Sequence, residues 1–209
     1  EGKVLLNVDS EDEGVFTVGC AGGRDTRISL AVHYEDAPEG FVMARLKAGS
    51  MTGGHSGVNI NEERANAIRV LVRALMQIKS QFDLRLADIS GGTAHNAIPR
   101  DAWADIFIPR DSFKAIEGTV ADLEGVFRRE FRKTDPDLKI SVELQPETMG
   151  KRPLKVADSG KICDLIIALP HGVAAMSTEM KGLVETSSLL LLWAWIPMTM
   201  LISSVKPSP

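Results

Sequence analysis

The chain has 209 residues, 44% hydrophobic and 25% charged, enough to bury a substantial core in one large domain or two small ones. A net charge of −4 excludes the broad basic face expected of a nucleic-acid binder. Cys20 and Cys163 stand far apart, in no CxxC or Cys/His array, which excludes a zinc finger and fits a reducing, cytoplasmic compartment.

Residues 4–8 are a short apolar run and read as a buried strand. The run ends in Asp9-Ser10-Glu11-Asp12-Glu13-Gly14, a turn rich in carboxylates. Carboxylates at a strand end suit a divalent cation, and they equally suit a solvated acidic turn. An EF-hand loop starting at Asp9 fails, because its twelfth position is Cys20 and strands flank it. Residues 15–20 read as a second strand, stopped by Ala21-Gly22-Gly23, where a domain junction is expected. The chain opens inside a strand-like run without an initiator Met, so it reads as a piece of something longer.

Residues 27–34, which include His33, and residues 41–48 then read as strands. Asn61 is the expected N-cap of a helix whose apolar stripe is Ile68, Leu71, Val72, Leu75 and Ile78. Strands are expected over 84–89 and 103–108. Asp111 or Ser112 would cap a second helix, with a face of Phe113, Ile116, Val120, Leu123, Phe127 and Phe131, and a strand over 138–144 follows. From residue 41 the order is β-α-β-β-α-β. That split pattern predicts a four-stranded antiparallel sheet with both helices on one face, leaving an edge strand or the other face to meet a second copy. Asp158-Ser159 would cap a third helix, ended by Pro170 and Gly172. The apolar run 189–202, with Pro197 inside it, falls short of the ~18–20 residues that span a membrane and reads better as a strand pair.

Two stretches carry candidate chemistry. Gly53-Gly54-His55-Ser56-Gly57 sets one imidazole among three glycines, whose positive-φ freedom lets a ring nitrogen approach a ligand closely. It is equally an ordinary tight turn. Gly91-Gly92-Thr93-Ala94-His95-Asn96-Ala97-Ile98-Pro99-Arg100 lies between two expected strands. Asn96 can donate and accept, and Arg100 can fork onto a carboxylate; both are also common in plain loops. No GxSxG, P-loop, GxGxxG or HExxH motif occurs, so a serine or cysteine nucleophile has no supporting context.

Four stretches in order resemble the aminoacyl-histidine dipeptidases (Xaa-His dipeptidase, peptidase D), within the dinuclear zinc peptidases that include carnosinases and aminoacylases. They are residues 5–11 with 19–23, 53–60, 96–100, and 169–173 with 182–187. The resemblance implies an α/β fold: a metal-binding domain, of which residues 1–23 would be one edge, and an α+β lid over 24–187 that forms a homodimer. It implies a dipeptide substrate, two zinc ions with Asp9 as one carboxylate ligand, His55 reaching the scissile carbonyl oxygen, and Asn96 with Arg100 binding substrate. The family's remaining metal ligands and its Glu-Glu base would lie outside the matched stretches. The chain alone is therefore expected to be inactive. Residues 188–209 depart from the family pattern and are expected to be a frameshifted or truncated tail. The reading from a different class is a stand-alone dimerisation or ligand-binding module; upstream sequence would separate the two. A small RNA-binding domain is disfavoured by the acidic charge and by the lack of an aromatic pair on a central strand.

Overall fold

The computed structural model describes residue 14 and residues 21–146, 148, 150–194 and 199–207. Asp9 and the strands expected over 4–8 and 15–20 lie outside the described residues.

In chain order the strands are β1 (Ala21–Ser29), β2 (Phe41–Gly49), β3 (Gly54–His55), β4 (Arg85–Gly91), β5 (Ala97–Ile98), β6 (Ala102–Pro109), β7 (Lys139–Leu144), β8 (Gly172–Met176), β9 (Val184–Ala194) and β10 (Thr199–Pro207). The helices are α1 (Ala67–Lys79), α2 (Phe113–Glu130) and α3 (Val156–Ala168). The predicted split arrangement is present: β4, β6, β2 and β7 lie side by side in that order, every pairing antiparallel. Edge strand β7 has a neighbour on one side only among the described residues.

The sheet extends further than four strands. β9 touches β4 at the single pair Gly91↔Leu192, and β10 and β1 continue beyond it, with β8 also on β9. The apolar run that begins at Leu189 thus enters a strand pair, with Leu189, Leu190 and Leu191 buried.

Strand alternation separates the two faces of the sheet. Ala44, Leu46 and Ala48 of β2, Ala104, Ile106 and Ile108 of β6, and Ile140 and Val142 of β7 pack into one core with the helix stripes. Helix α1 buries Ile68, Val70, Leu71, Val72, Leu75 and Ile78, because it lies against the sheet and touches both α2 and α3. Each such side chain contributes roughly 1.5–3 kcal/mol. Helix α2 has one stripe: Ile116, Val120 and Phe127 are buried, and Phe113 and Leu123 are partly buried against the same core. On the opposite face Arg45 grips fully buried Asp105 through two hydrogen bonds of 2.6 and 2.9 Å, and Lys151 donates to Asp105 and Asp88.

Several local expectations are corrected. No strand runs over 27–34: β1 ends at Ser29, and His33 and Glu35 lie on a strap hydrogen-bonded to residues 153–155. The strand β1 includes Ala21-Gly22-Gly23, where a stop was expected, because β10 supplies a partner ladder down to the Ala21↔Pro207 pair. Helix α1 is capped by Asn66, whose side chain accepts from Ile68 N and Arg69 N, and not by Asn61. Residues 60–62 form a separate 3-10 turn, and Glu63 at φ 56° redirects the chain before the helix starts. Neither Asp111 nor Ser112 caps α2 with its side chain, since a 3-10 turn leads straight into the helix. Asp158 and Ser159 sit inside α3, which begins at Val156. Asp158 instead accepts from the His33 backbone N–H at 2.8 Å and holds its ring at 2.9 Å, anchoring the strap.

Candidate functional site

The turn that carries His55 depends on two glycines. Gly53 at φ +66° and Gly54 at φ +145° adopt conformations that side chains disfavour. Each also sits against a neighbour: a Cβ on Gly53 would lie 2.3 Å from Arg100 Cγ, and one on Gly54 2.8 Å from Asn59 Oδ1. Both ends of the segment are tied to one fully buried carboxylate. Asp135 accepts from the backbone N–H of Thr52 and of Ala65, each at 2.8 Å.

The two motif stretches are stitched together. β3 and β5 form a small antiparallel sheet of their own, with Gly54 opposite Ile98 and His55 opposite Ala97. The Ser56 N–H adds a bond of 2.8 Å to the Asn96 carbonyl. As a result His55, Asn96 and Arg100 line one cavity of about 620 Å³, together with Thr52, Thr93 and Asp101.

The His55 ring is exposed, and its Nδ1 accepts from the Gly57 N–H at 3.1 Å. With Nδ1 an acceptor, the proton of the neutral imidazole resides on Nε2, so the ring offers an N–H donor. Asn96 is held through its backbone; its side-chain amide stands at the cavity wall with no hydrogen-bond partner among the described residues. Arg100 lies along the same cavity wall. Its Nε donates to the Met51 carbonyl at 3.1 Å and its methylenes cover Gly53, so it buttresses the turn from the cavity wall. Asp9 lies outside the described residues. Among the described residues no three His, Cys, Asp or Glu side chains converge to hold a metal ion, so these residues alone supply no cradle for zinc.

Two features escaped the sequence reading. Asn59, four residues after His55, accepts from the His55 N–H at 2.9 Å and donates from Nδ2 to Glu62 at 2.7 Å. Its signal was present in the motif, but a turn asparagine is ordinarily satisfied by its own backbone. The second is His171. It lines a separate cavity of about 730 Å³ with Arg64, Asn66, Arg69, Arg73 and Glu130. Its Nδ1 lies 3.4 Å from Asn66 Nδ2 and 3.5 Å from Leu190 N, two donors, so this ring too keeps its proton on Nε2. Burial, and then the neighbouring Arg69 charge, push its pKa down to about 4.

Residues 44–135 match the peptidase dimerisation domain. The chain is 35% identical over 187 residues to the cytosol non-specific dipeptidase of Escherichia coli (strain K12), covering 90% of this chain and 38% of that one. It superimposes on the crystal structure of aminoacylhistidine dipeptidase from Vibrio alginolyticus with a TM-score of 0.84 and 29% identity, covering 100% of this chain and 42% of the other. The chain thus spans about two fifths of the length of these relatives.

Proposed function

We propose that this chain belongs to the aminoacyl-histidine dipeptidase family and is the lid of a cytoplasmic metal-dependent dipeptidase, with His55 as the group that meets the reacting peptide. The observation that carries this reading is the single cavity in which His55 and Asn96 face a common space, their loops joined by β3, β5 and the Ser56 bond.

The His55 Nε2–H would donate to the scissile carbonyl oxygen, a bond that strengthens as that oxygen gains negative charge. A preorganised donor of this kind stabilises the transition state more than the ground state. The free Asn96 amide would accept and donate to the peptide backbone, holding the dipeptide in register. Arg100 would keep the turn closed and add positive charge at the wall, favouring a substrate with a free carboxylate. Zinc, held by Asp9 and by ligands beyond the described residues, would supply the activated water.

The similarity to dipeptidases covers most of the chain, beyond residues 44–135, which argues against a stand-alone dimerisation module. A homodimer through the lid accords with the dimerisation domain and with the one-sided edge strand β7. Xaa-His dipeptides are the proposed substrates. We further propose that the 209-residue chain alone does not turn over, and that residues 1–23 belong to the edge of the metal-binding domain, with the lid running to residue 187. Residues 188–209 we read as a departure from the family pattern, whose encoding DNA read in its other frames would reveal or refute a frame error.

The test is hydrolysis of a panel of Xaa-His and other dipeptides, with zinc supplied. It is run on this chain and on the complete protein that contains it, each with His55 intact and as His55→Ala. Chelator-sensitive turnover by the chain alone overturns its inactivity, and full turnover by the complete His55→Ala protein overturns the role of His55.

A further inference from the structure

Behind His55 runs a chain of hydrogen bonds that no cavity contact explains. Asn59 holds both backbone polar groups of His55: its Oδ1 accepts from the His55 N–H at 2.9 Å, and its own N–H donates to the His55 carbonyl at 2.8 Å. Its Nδ2 donates to Glu62 Oε1 at 2.7 Å. Glu62 Oε2 in turn accepts from Arg64 Nε at 2.8 Å and Nη2 at 2.6 Å, and Arg64 Nη1 donates to the Gly53 carbonyl on the other side of His55. The chain therefore leaves the histidine, passes through three side chains and returns to the residue two before it.

We propose that Asn59, backed by Glu62 and Arg64, is the positioning residue of this site. It fixes the His55 backbone so that the Gly57 N–H meets Nδ1 and the proton stays on Nε2. The inference rests on the reading of His55 as the carbonyl-oxygen donor and adds the device that aims it.

Three observations support it. First, the bond from Gly57 to Nδ1 spans two residues and is a local contact at an exposed ring, so it persists only while the intervening backbone is held. Second, the space a side chain on Gly54 would need is taken by this same network: a Cβ there would meet Arg64 Nη1 at 2.6 Å and Asn59 Oδ1 at 2.8 Å. Third, the Asn59 bond, followed by Arg64, holds the Glu62 carboxyl below its usual range, as expected of a carboxylate engaged by both partners. Asp135 already fastens both ends of the segment. A network acting between those ends is therefore placed to set local aim.

Two measurements test the assignment. On the 209-residue chain labelled with ¹⁵N, long-range imidazole spectra report which ring nitrogen of neutral His55 carries the proton. The original chain should show one form, Nε2–H. Asn59→Ala should give a mixture of tautomers with the remaining spectrum unchanged, and Glu62→Gln a smaller admixture. In the complete protein, Asn59→Ala should lower kcat by roughly 10–100-fold while KM moves less than about threefold, since the lost interaction is made in the transition state. Should Asn59→Ala fail to fold, Asn59→Asp keeps the acceptor for the His55 N–H while placing a carboxylate against Glu62. That variant should show less admixture than Asn59→Ala, and combining it with Glu62→Gln should restore the single Nε2–H form. A single Nε2–H tautomer with unaltered kcat in Asn59→Ala overturns the positioning role, as does a mixed tautomer in Asn59→Asp/Glu62→Gln. An original chain whose His55 is protonated on Nδ1, or a complete His55→Ala protein with full turnover, instead overturns the function on which it rests.

Discussion

His55 and His171 end in the same protonation pattern by opposite routes. His55 is exposed on a glycine turn, and a single backbone N–H, that of Gly57, selects its tautomer. His171 is set into the wall of a cavity, where Asn66 and the Leu190 N–H face Nδ1 and burial pushes its pKa down to about 4. Solvent leaves the first ring free to meet a substrate; enclosure keeps the second neutral across the physiological range. An imidazole's role is decided by what surrounds it, and proximity to glycine or to charge alone does not assign it.

The contrast breaks most sharply if His55 is removed. His55→Ala in the complete protein should lower kcat by roughly 10²–10³-fold, the loss typical of one oxyanion donor. The same change leaves the lid's stability within about 0.5 kcal/mol, as for an exposed side chain. Hydrolysis kinetics paired with urea melts separate the two effects.

His171 predicts the reverse signature, in stability. Its folded pKa near 4 lies below the ordinary value, so the unfolded chain binds the proton first as the pH falls. Stability should be fully present above about pH 6.5 and decline as the pH falls towards 4, by on the order of 3 kcal/mol in total. Urea melts between pH 7 and 4 should show that slope, and His171→Gln should flatten it.

A smaller effect is expected at the turn itself. Gly54→Ala must hold φ +145° and displace Asn59 or Arg64, a strain of about 1–3 kcal/mol. Thermal melting should register it, and the His55 spectrum should lose its single tautomer. The weakest effect belongs to Asp158. The His33 ring and backbone bonds hold its pKa at about 2, below the ordinary carboxylate value, so that contribution persists above pH 4 and disappears between about 4 and 2. Asp158→Asn should remove this acid limb and leave the His171 slope intact, which distinguishes the two titrations.

Much of this was legible in the residues. The period of Ile68, Leu71, Leu75 and Ile78 marked α1, and the alternation along 41–48 and 103–108 marked β2 and β6. The points that failed lie where a local signal had two readings. Asn61 and Asn66 are both acceptable caps; Asn66 caps because Glu63 turns the chain at φ 56° and its Nδ2 reaches the Leu190 carbonyl, far away in sequence. Gly22 and Gly23 read as a stop, yet β10 offers a ladder that keeps them extended.

From composition and pattern alone came the β-α-β-β-α-β order and the burial of the helix stripes, since periodicity is a property of neighbouring residues, while the roles given to His55 and Asn96 came from the family resemblance. Only the folded arrangement decided that β3 and β5 would join those two residues in one cavity, that Asn59 would clasp His55, and that His171 would be set into a cavity wall as a neutral ring. Those outcomes depend on groups distant in the chain meeting at hydrogen-bonding distance, and on the water they exclude, which no local pattern encodes.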